Sequence, residues 1–293
     1  MSLILAISFG LIAYSALNIG MVLEKKGAST LPQIENTSAL DNLKNFLGCK
    51  VWVIGVSITS LQVIFLMIAL TMAPLSLISP LFGFGLVVLA FFSKLYLNED
   101  INKIEYAGIG VTILGIILLG LFSNPNEINY TVNEIASLFF APFSLFFFLS
   151  IIIFTMIVCT YSILNNYKLA AIIFGFASGI AGAFGNIFMK GVSSGVGQFS
   201  LQSTIINFVW IIMLILSFTG SGFSMMLLQI GFQKGKAVLV APIYSIIAMI
   251  YPTISGIIIL GEWSGQLLLN ILIQSVGIII IVLGIIILSF YNE

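Results

Sequence analysis

The sequence predicts an all-α integral membrane protein of about nine transmembrane helices, arranged as two inverted-topology four-helix repeats plus a connecting helix. Three observations carry that prediction. Of 293 residues, 60% are apolar and only 7% charged, whereas a soluble domain carries about 25% charged residues, so this chain cannot cover itself in water. The apolar residues gather into nine runs close to the ~20 residues a helix needs to cross a bilayer. And one of those runs recurs in the second half of the chain.

The nine runs lie near Ser2–Leu23, Val51–Met72, Leu75–Leu97, Ile104–Phe122, Ala141–Leu164, Leu169–Lys190, Ile205–Gln233, Ala237–Leu260 and Leu267–Tyr291. In lipid every backbone polar group needs an internal partner, so runs of this length read as helices. The first has no basic residue before it and Lys25 and Lys26 after it. A cleavable signal has its charges in front, so this run is expected to remain as a span. The stretch Glu24–Lys50, with Pro32 and its Ser/Thr/Asn clusters, reads as a polar connection. The Ala73-Pro74 turn is so short that spans two and three must be antiparallel neighbours. Thr131-Val132-Asn133-Glu134 has the form of a capping box and predicts a short surface helix before Pro142 opens span five.

The recurring segment runs from Ala73 to Glu99. A shift of 162 lays Pro80 on Pro242, and one more place lays Leu97-Asn98-Glu99 on Leu260-Gly261-Glu262. Lys26-Gly27 after span one matches Lys190-Gly191 after span six, and Gly108 and Gly115 in span four match Gly277 and Gly284 in span nine. Spans one to four therefore correspond to spans six to nine. Matching spans are five apart, an odd number, so the two copies cross in opposite directions. The units are 1–123 (first repeat), 124–168 (exterior loop and connecting fifth span) and 169–293 (second, inverted repeat). Secondary transporters use inverted repeats because two antiparallel copies of one unit can exchange conformations and open a central site to each side in turn.

Lysine placement sets the orientation. Nine of the ten lysines fall on the side that receives the loops after the odd-numbered spans, and only Lys190 falls on the other. The N-terminus is thus expected outside and the C-terminus in the cytoplasm, in the plasma (cytoplasmic) membrane. On this assignment Asn129-Tyr130-Thr131 is an exterior glycosylation-type triplet, a pattern that chance produces often.

Polar residues inside the spans are the candidates for a substrate path. Gly55, Thr59 and Gln62 share one face of span two, since residues three and four apart stack on a helix. Adding 162 gives Ser217, Ser221 and Ser224 on one face of span seven. Asn18 in span one, Asn186 in span six, Gln229 in span seven, Gln274 in span nine and Tyr244 in span eight join them. Small hydroxyl residues also serve close helix packing, where interhelical hydrogen bonds average about 0.6 kcal/mol. Pro80 and Pro242 are places where each recurring helix can bend, and Glu99 and Glu262 close these helices at opposite faces as candidate gates.

The chain resembles the drug/metabolite transporter (EamA-like) superfamily, through the Pro-led span ending in Asn98-Glu99 and the second copy ending in Leu260-Gly261-Glu262. Within it the sequence is most similar to the nine-span NIPA-type magnesium-transporter-like branch. The matching pieces are Val22-Leu23-Glu24-Lys25-Lys26-Gly27, Thr71-Met72-Ala73-Pro74, Gly182-Ala183-Phe184 through Lys190-Gly191, and Val240-Ala241-Pro242-Ile243-Tyr244 through Gly261-Glu262. The resemblance implies a transporter fold and a magnesium or other divalent substrate. One departure matters: where that branch tends to carry an acidic residue in span two, this chain reads Thr59-Ser60-Leu61-Gln62-Val63. Magnesium favours sites with one or two carboxylates and retained waters, and every acid here is placed by sequence at a span end or in a loop.

The leading expectation is therefore a secondary transporter of a small polar solute, with a divalent-cation transporter as its rival and a non-transporting scaffold or receptor as an alternative of another class. Intramembrane proton relays use titratable groups, and the spans offer no histidine and no central carboxylate, which favours transport without proton coupling. Enzyme chemistry needs nucleophile, base or metal ligands converging in one pocket. Cys49 and Cys159 have no histidine partners, so no catalytic residue, metal site or cofactor is expected. With zero net charge there is no basic face for nucleic acid. The expected partners are the bilayer and a small-molecule or ion substrate, and a homo-oligomer is compatible with the sequence.

Overall fold

The computed structural model describes residues 3–28, 30–31, 39–97, 103–123, 130–198, 207–234 and 237–290. Among these residues the chain is all helical, with twelve α-helices, one 3-10 turn and no strand. In order they are α1 (Leu3–Ala28), α2 (Ala39–Gly48), α3 (Lys50–Met72), α4 (Leu75–Ile78), the 3-10 turn Ser79–Leu81, α5 (Phe82–Leu97), α6 (Lys103–Phe122), α7 (Val132–Phe139), α8 (Pro142–Leu164), α9 (Ala170–Gln198), α10 (Phe208–Lys234), α11 (Ala237–Ile258) and α12 (Leu268–Phe290). Among the described residues, seven stretches are long and apolar enough to cross a membrane: Leu3–Glu24, Lys50–Met72, Leu75–Phe92, Pro142–Leu164, Ala170–Val196, Phe208–Gly231 and Leu268–Leu288. Two shorter apolar helical stretches, Tyr106–Phe122 and Ile243–Ile258, stand where the sequence predicts the fourth and eighth spans.

Local sequence explains most boundaries. Pro142 opens α8 at its first turn, where its missing N–H is no loss. Thr131 caps α7 and forms the expected box: its hydroxyl accepts from Glu134 N–H while the Glu134 carboxylate accepts from Thr131 N–H at 2.8 Å. The third span is not one helix but α4, a 3-10 turn and α5 in series. Pro80 stands in the 3-10 turn, where it withholds the N–H that the carbonyl of Ser76 would otherwise receive. Pro242 lies inside α11, which is continuous across it.

Three boundaries differ from the sequence expectation. The helix α1 runs on to Ala28, past the expected end at Leu23. The connection Glu24–Lys50 contains the helix α2, whose Phe46 packs its ring 5.0 Å from Trp52 on α3. The helix α9 continues eight residues beyond Lys190, so this lysine sits within a span rather than at its end.

The spans pack as three close pairs, α1 on α3, α9 on α10 and α6 on α12. Glycine allows the last pair its approach: a methyl group built on Gly115 would stand 2.7 Å from the carbonyl oxygen of Gly277. The broken third span and α11 lie between the pairs, packed on each other and on α1 and α9 respectively. α9 is among the most enclosed helices, whereas α8 turns Phe146, Phe154, Met156 and Ile157 outward as a lipid-facing surface. An aromatic cluster ties α7, α8, α9 and α11 together, with Phe148 5.3 Å from Phe184 and Phe147 stacked 5.1 Å from Tyr251.

Candidate functional site

The most distinctive polar contact within the spans lies in the seam between α1 and α3. Gly20 and Glu24 are four residues apart on α1, and Gly55 and Thr59 are four apart on α3, so each helix presents a bare patch beside a polar group. A methyl group on Gly55 would meet Glu24 N at 2.7 Å and Gly20 O at 2.9 Å. The backbones touch there because neither residue has a side chain. This closeness brings Thr59 Oγ1 to 2.6 Å from Glu24 Oε1, to which it donates. A charge-assisted O–H···O⁻ bond has this length. Glu24 is half-buried, and the sequence reading placed it at a span end with no role. The signal was present in the paired four-residue spacings, Gly20 with Glu24 and Gly55 with Thr59.

The seam between α9 and α10 is built alike, with neutral partners. Ser217 donates to Gly185 O at 2.8 Å, Ser224 donates to Ser178 O at 2.8 Å, and Ser221 turns back to Ser217 O at 3.0 Å. Ser217 and Ser224 are buried, Ser221 exposed. The stripe Ser217/Ser221/Ser224 thus runs along a helix contact.

A chain of rings and amides crosses the middle of the bundle between the pairs. Asn18 is buried, donates to Tyr14 O at 2.9 Å and lies against Gly85 on α5. Tyr14 packs edge-on to Phe82 at 5.1 Å, Phe82 edge-on to Tyr244 at 5.7 Å, and Tyr244 shares a hydrogen bond with Ser224. The structure therefore brings Asn18, Tyr244 and Ser224 into one central group. Gln62 is half-buried on α3, Asn186 half-buried on α9, and Gln229 exposed on α10. Gln274 is buried and donates to Phe122 O at 2.8 Å and to Gln266 Oε1 at 2.7 Å. It ties α12 to the end of α6.

At the turn between α3 and α4 two charged side chains from the other half of the chain meet the backbone. Glu262 accepts from Leu75 N–H and Ser76 N–H, both at 2.7 Å. Lys190 donates to Leu70 O at 2.8 Å and Ala73 O at 3.0 Å. Tyr130, just before α7, donates its hydroxyl to Leu260 O at 2.8 Å. Burial first, then the neighbouring Glu262 and Glu134 carboxylates, push the Tyr130 phenol above its ordinary value. Glu99 lies outside the described residues. Sequence reasoning used Lys190 to count charges and to align the two halves, and gave it no site role; its isolation on the side opposite the other nine lysines was the available clue.

Among the described residues no three histidines, cysteines or acids gather as a metal cluster. The cysteines are unpaired and apart in the fold.

With this architecture in view, the family profile described as Magnesium transporter NIPA matches residues 1–293. The chain belongs to the NIPA magnesium transporter family. Its NIPA relatives include the "Probable magnesium transporter NIPA9" of Arabidopsis thaliana, 26% identical over 97% of this chain and 81% of that protein. The "Magnesium transporter NIPA4" of Mus musculus is 24% identical over 98% of this chain and 71% of its own length. The human protein of the same name is 23% identical over 98% of the chain and 72% of its own length. No solved structure matches this NIPA-family chain. The long apolar helices and the family together make it an integral membrane protein of a transporter family.

Proposed function

We propose that the protein carries magnesium across the membrane by alternating access, and that Glu24 is the carboxylate that receives the ion. The single observation that carries this reading is the Glu24–Thr59 contact of 2.6 Å in the glycine-lined α1/α3 seam. Sequence reasoning set the divalent substrate second because each acid seemed to sit at a span end. Glu24 still stands at the end of the first span, but it is half-buried and bonded to a hydroxyl ten residues into α3, which supports an ion-binding role. Magnesium keeps several of its waters and needs only one or two protein carboxylates, so one acid with hydroxyl and carbonyl oxygens suits a site that must also release its ion.

The nine-span count and the inverted repeat belong to the same proposal. They are supported by matched pairs in the fold: α1 on α3 mirrors α9 on α10, and α6 and α12, the last span of each repeat, pack on one another. The N-terminus-outside orientation in the plasma membrane rests on the lysine count. On that orientation Glu24 lies toward the cytoplasmic half and the α3–α4 turn at the exterior. Asn18, Tyr244 and Ser224 form the crossing between the halves, with Thr59, Gln62, Ser221, Asn186 and Gln229 along the helices that flank it.

Sealed proteoliposomes loaded with a magnesium-sensitive dye test the substrate. The wild-type protein is expected to admit magnesium, Glu24→Gln to reduce the flux about tenfold, the size expected when one charge-assisted contact is lost, and Thr59→Val to reduce it less. Absence of magnesium flux in wild-type vesicles that do pass an uncharged polar solute would return the substrate to the small-solute class.

A further inference from the structure

The turn between α3 and α4 breaks the helical hydrogen-bond ladder at Pro74, and two charged side chains from the second half of the chain take four of the backbone groups it strands. Pro74 has no N–H, so Leu70 O, four residues back, lacks its usual helical donor. Ala73 is extended, and Leu77 N–H and Ile78 N–H both turn to Pro74 O at 3.1 Å, leaving Ala73 O without the Leu77 partner. Lys190 donates to these two carbonyls, Leu70 O and Ala73 O. On the other side of the proline, Leu75 N–H and Ser76 N–H open a new helical segment with no partner behind them. Glu262 accepts from both.

The signs match the helix dipoles: a cation sits on the C-terminal carbonyls of α3, and an anion on the first amides of the third span. The fit is close. Gly256 is bare where the Glu262 carboxylate lies, since a methyl group there would overlap Glu262 Oε2 and reach 3.1 Å from Ser76 N. Gly261, with φ of +62°, lets the chain fold Glu262 back on to that spot, and Glu262 N–H bonds Gly256 O at 3.2 Å. Lys190 is only 5% exposed, although eight more residues of α9 follow it. Burying an ammonium within a span is costly unless its protons are taken up, so this lysine is committed to the turn.

The geometry points to Lys190 and Glu262 acting together as a latch that holds the Leu70–Ser76 turn against the second half of the chain and so seals one mouth of the transport path. This rests on the alternating-access reading and goes beyond it in naming the contact that breaks when that mouth opens. Lys190 and Glu262 are positioning residues: they touch backbone, and their effect on the ion is through the equilibrium between closed and open mouths. A latch suits this task better than apolar packing does. Its four bonds form and break as a set, and water entering the mouth can replace all of them.

The experiment reads the mouth directly and needs no substrate. Ala73 is fully buried beside the latch. An Ala73→Cys reporter, in a background with Cys49→Ala and Cys159→Ala, is exposed in sealed vesicles to a membrane-impermeant maleimide from the side carrying the turn. With the latch intact, labelling is expected to be slow. Glu262→Gln, whose amide oxygen accepts but whose NH2 group faces an amide donor, is expected to raise the labelling rate about tenfold, as does Lys190→Met, while the protein remains monodisperse with α-helical content unchanged. Labelling of the folded variants at the unmodified rate would overturn the latch. Should either variant fail to fold, hydrogen exchange on the wild-type protein decides: Leu75 and Ser76 amides are expected to exchange faster than those at Leu66 and Ala69 in α3, and equal protection would overturn the proposal. Magnesium flux in the same vesicles, measured separately, reports on the substrate and leaves the latch result unaffected.

Discussion

Two helix pairs, α1/α3 and α9/α10, are built on one plan and differ in what their hydroxyl groups bond. In each, glycine on the first helix meets a hydroxyl stripe on the second: Gly20 against Thr59, Gly185 against Ser221. In the second pair the hydroxyls answer backbone carbonyls, Ser217 to Gly185 and Ser224 to Ser178. In the first pair Thr59 answers a carboxylate. The residues that stand where Glu24 would in the second pair are apolar, Phe188 in the sequence register and Met189 in the register of the glycine contacts, and both are buried. Only the first pair therefore places a carboxylate against the hydroxyl stripe of its partner helix. Packing alone requires the glycines and small hydroxyls, and both pairs have them; nothing in packing requires Glu24. The difference separates the structural part of the motif from the part available for an ion.

The sharpest way to break the comparison is to wedge both seams. Gly20→Val and Gly185→Val each force a branched side chain into a backbone contact, and overpacking of this kind costs about 1–3 kcal/mol. Thermal unfolding in detergent should show similar losses for the two. Magnesium flux should not: Gly20→Val parts Thr59 from Glu24 and is expected to stop transport, while Gly185→Val retains a measurable share. Equal flux losses would mean that the two seams are functionally alike. Next in size is Glu24→Gln, with about a tenfold loss of flux, equivalent to about 1.4 kcal/mol. Its unfolding temperature should hold, because the neutral amide still accepts the Thr59 hydroxyl.

The helical class, the positions of seven of the apolar runs and the Thr131–Glu134 cap could be read from sequence, because each depends on local chemistry or on hydrophobic length; a proline did not say whether its helix would break, since the third span is interrupted at Pro80 while α11 runs on through Pro242. The site was less legible. Glu24 looked like a solvated helix end because the apolar run stops at Leu23; only the neighbouring helix, nearly touching at Gly55, continues the enclosure past that point. Lys190 looked like a loop charge for the same reason, and its partners are carbonyls at the Pro74 turn, 120 and 117 positions earlier in the chain. The small-residue stripe on α10 was readable as a face but not as a contact: the same spacing serves a cavity or a seam, and the partner helix decides. Charges whose partners are backbone groups of another segment leave no pairing signal in a single sequence.

A smaller effect sharpens the neutral side of the comparison. Ser217→Ala removes a hydroxyl that bridges α10 to Gly185 O, and interhelical hydrogen bonds of this type average about 0.6 kcal/mol. A matched Thr59→Val change removes the bond to Glu24. If Ser217 only joins helices, its loss should appear in unfolding by denaturant as a slight shift of midpoint. The Thr59 change should appear chiefly in the concentration of magnesium needed for half-maximal flux. A magnesium dependence that moves equally in both variants would make the second seam part of the ion path as well.

The smallest effect concerns the short helices attached to each pair, α2 on α3 and α7 on α9 and α10. The cap of α7 is pH-dependent by construction. Thr131 N–H, first, and the Thr131 hydroxyl, second, hold the Glu134 carboxyl below its ordinary value of 4.5. A carboxyl with a lowered value in the folded state stabilises fully at pH above 4.5 and loses that contribution as the pH falls through the folded value. Glu134 is exposed, so the change is local. Amide exchange at Ile135 and Ala136 should therefore quicken below pH 4.5, with the exchange data corrected for the intrinsic pH dependence of each amide, while the α2 amides show no matching step. Glu134→Gln keeps an acceptor for Thr131 N–H but cannot titrate, so in that variant the step should vanish. If the step survives in Glu134→Gln, the Thr131–Glu134 cap is not what the acid loosens.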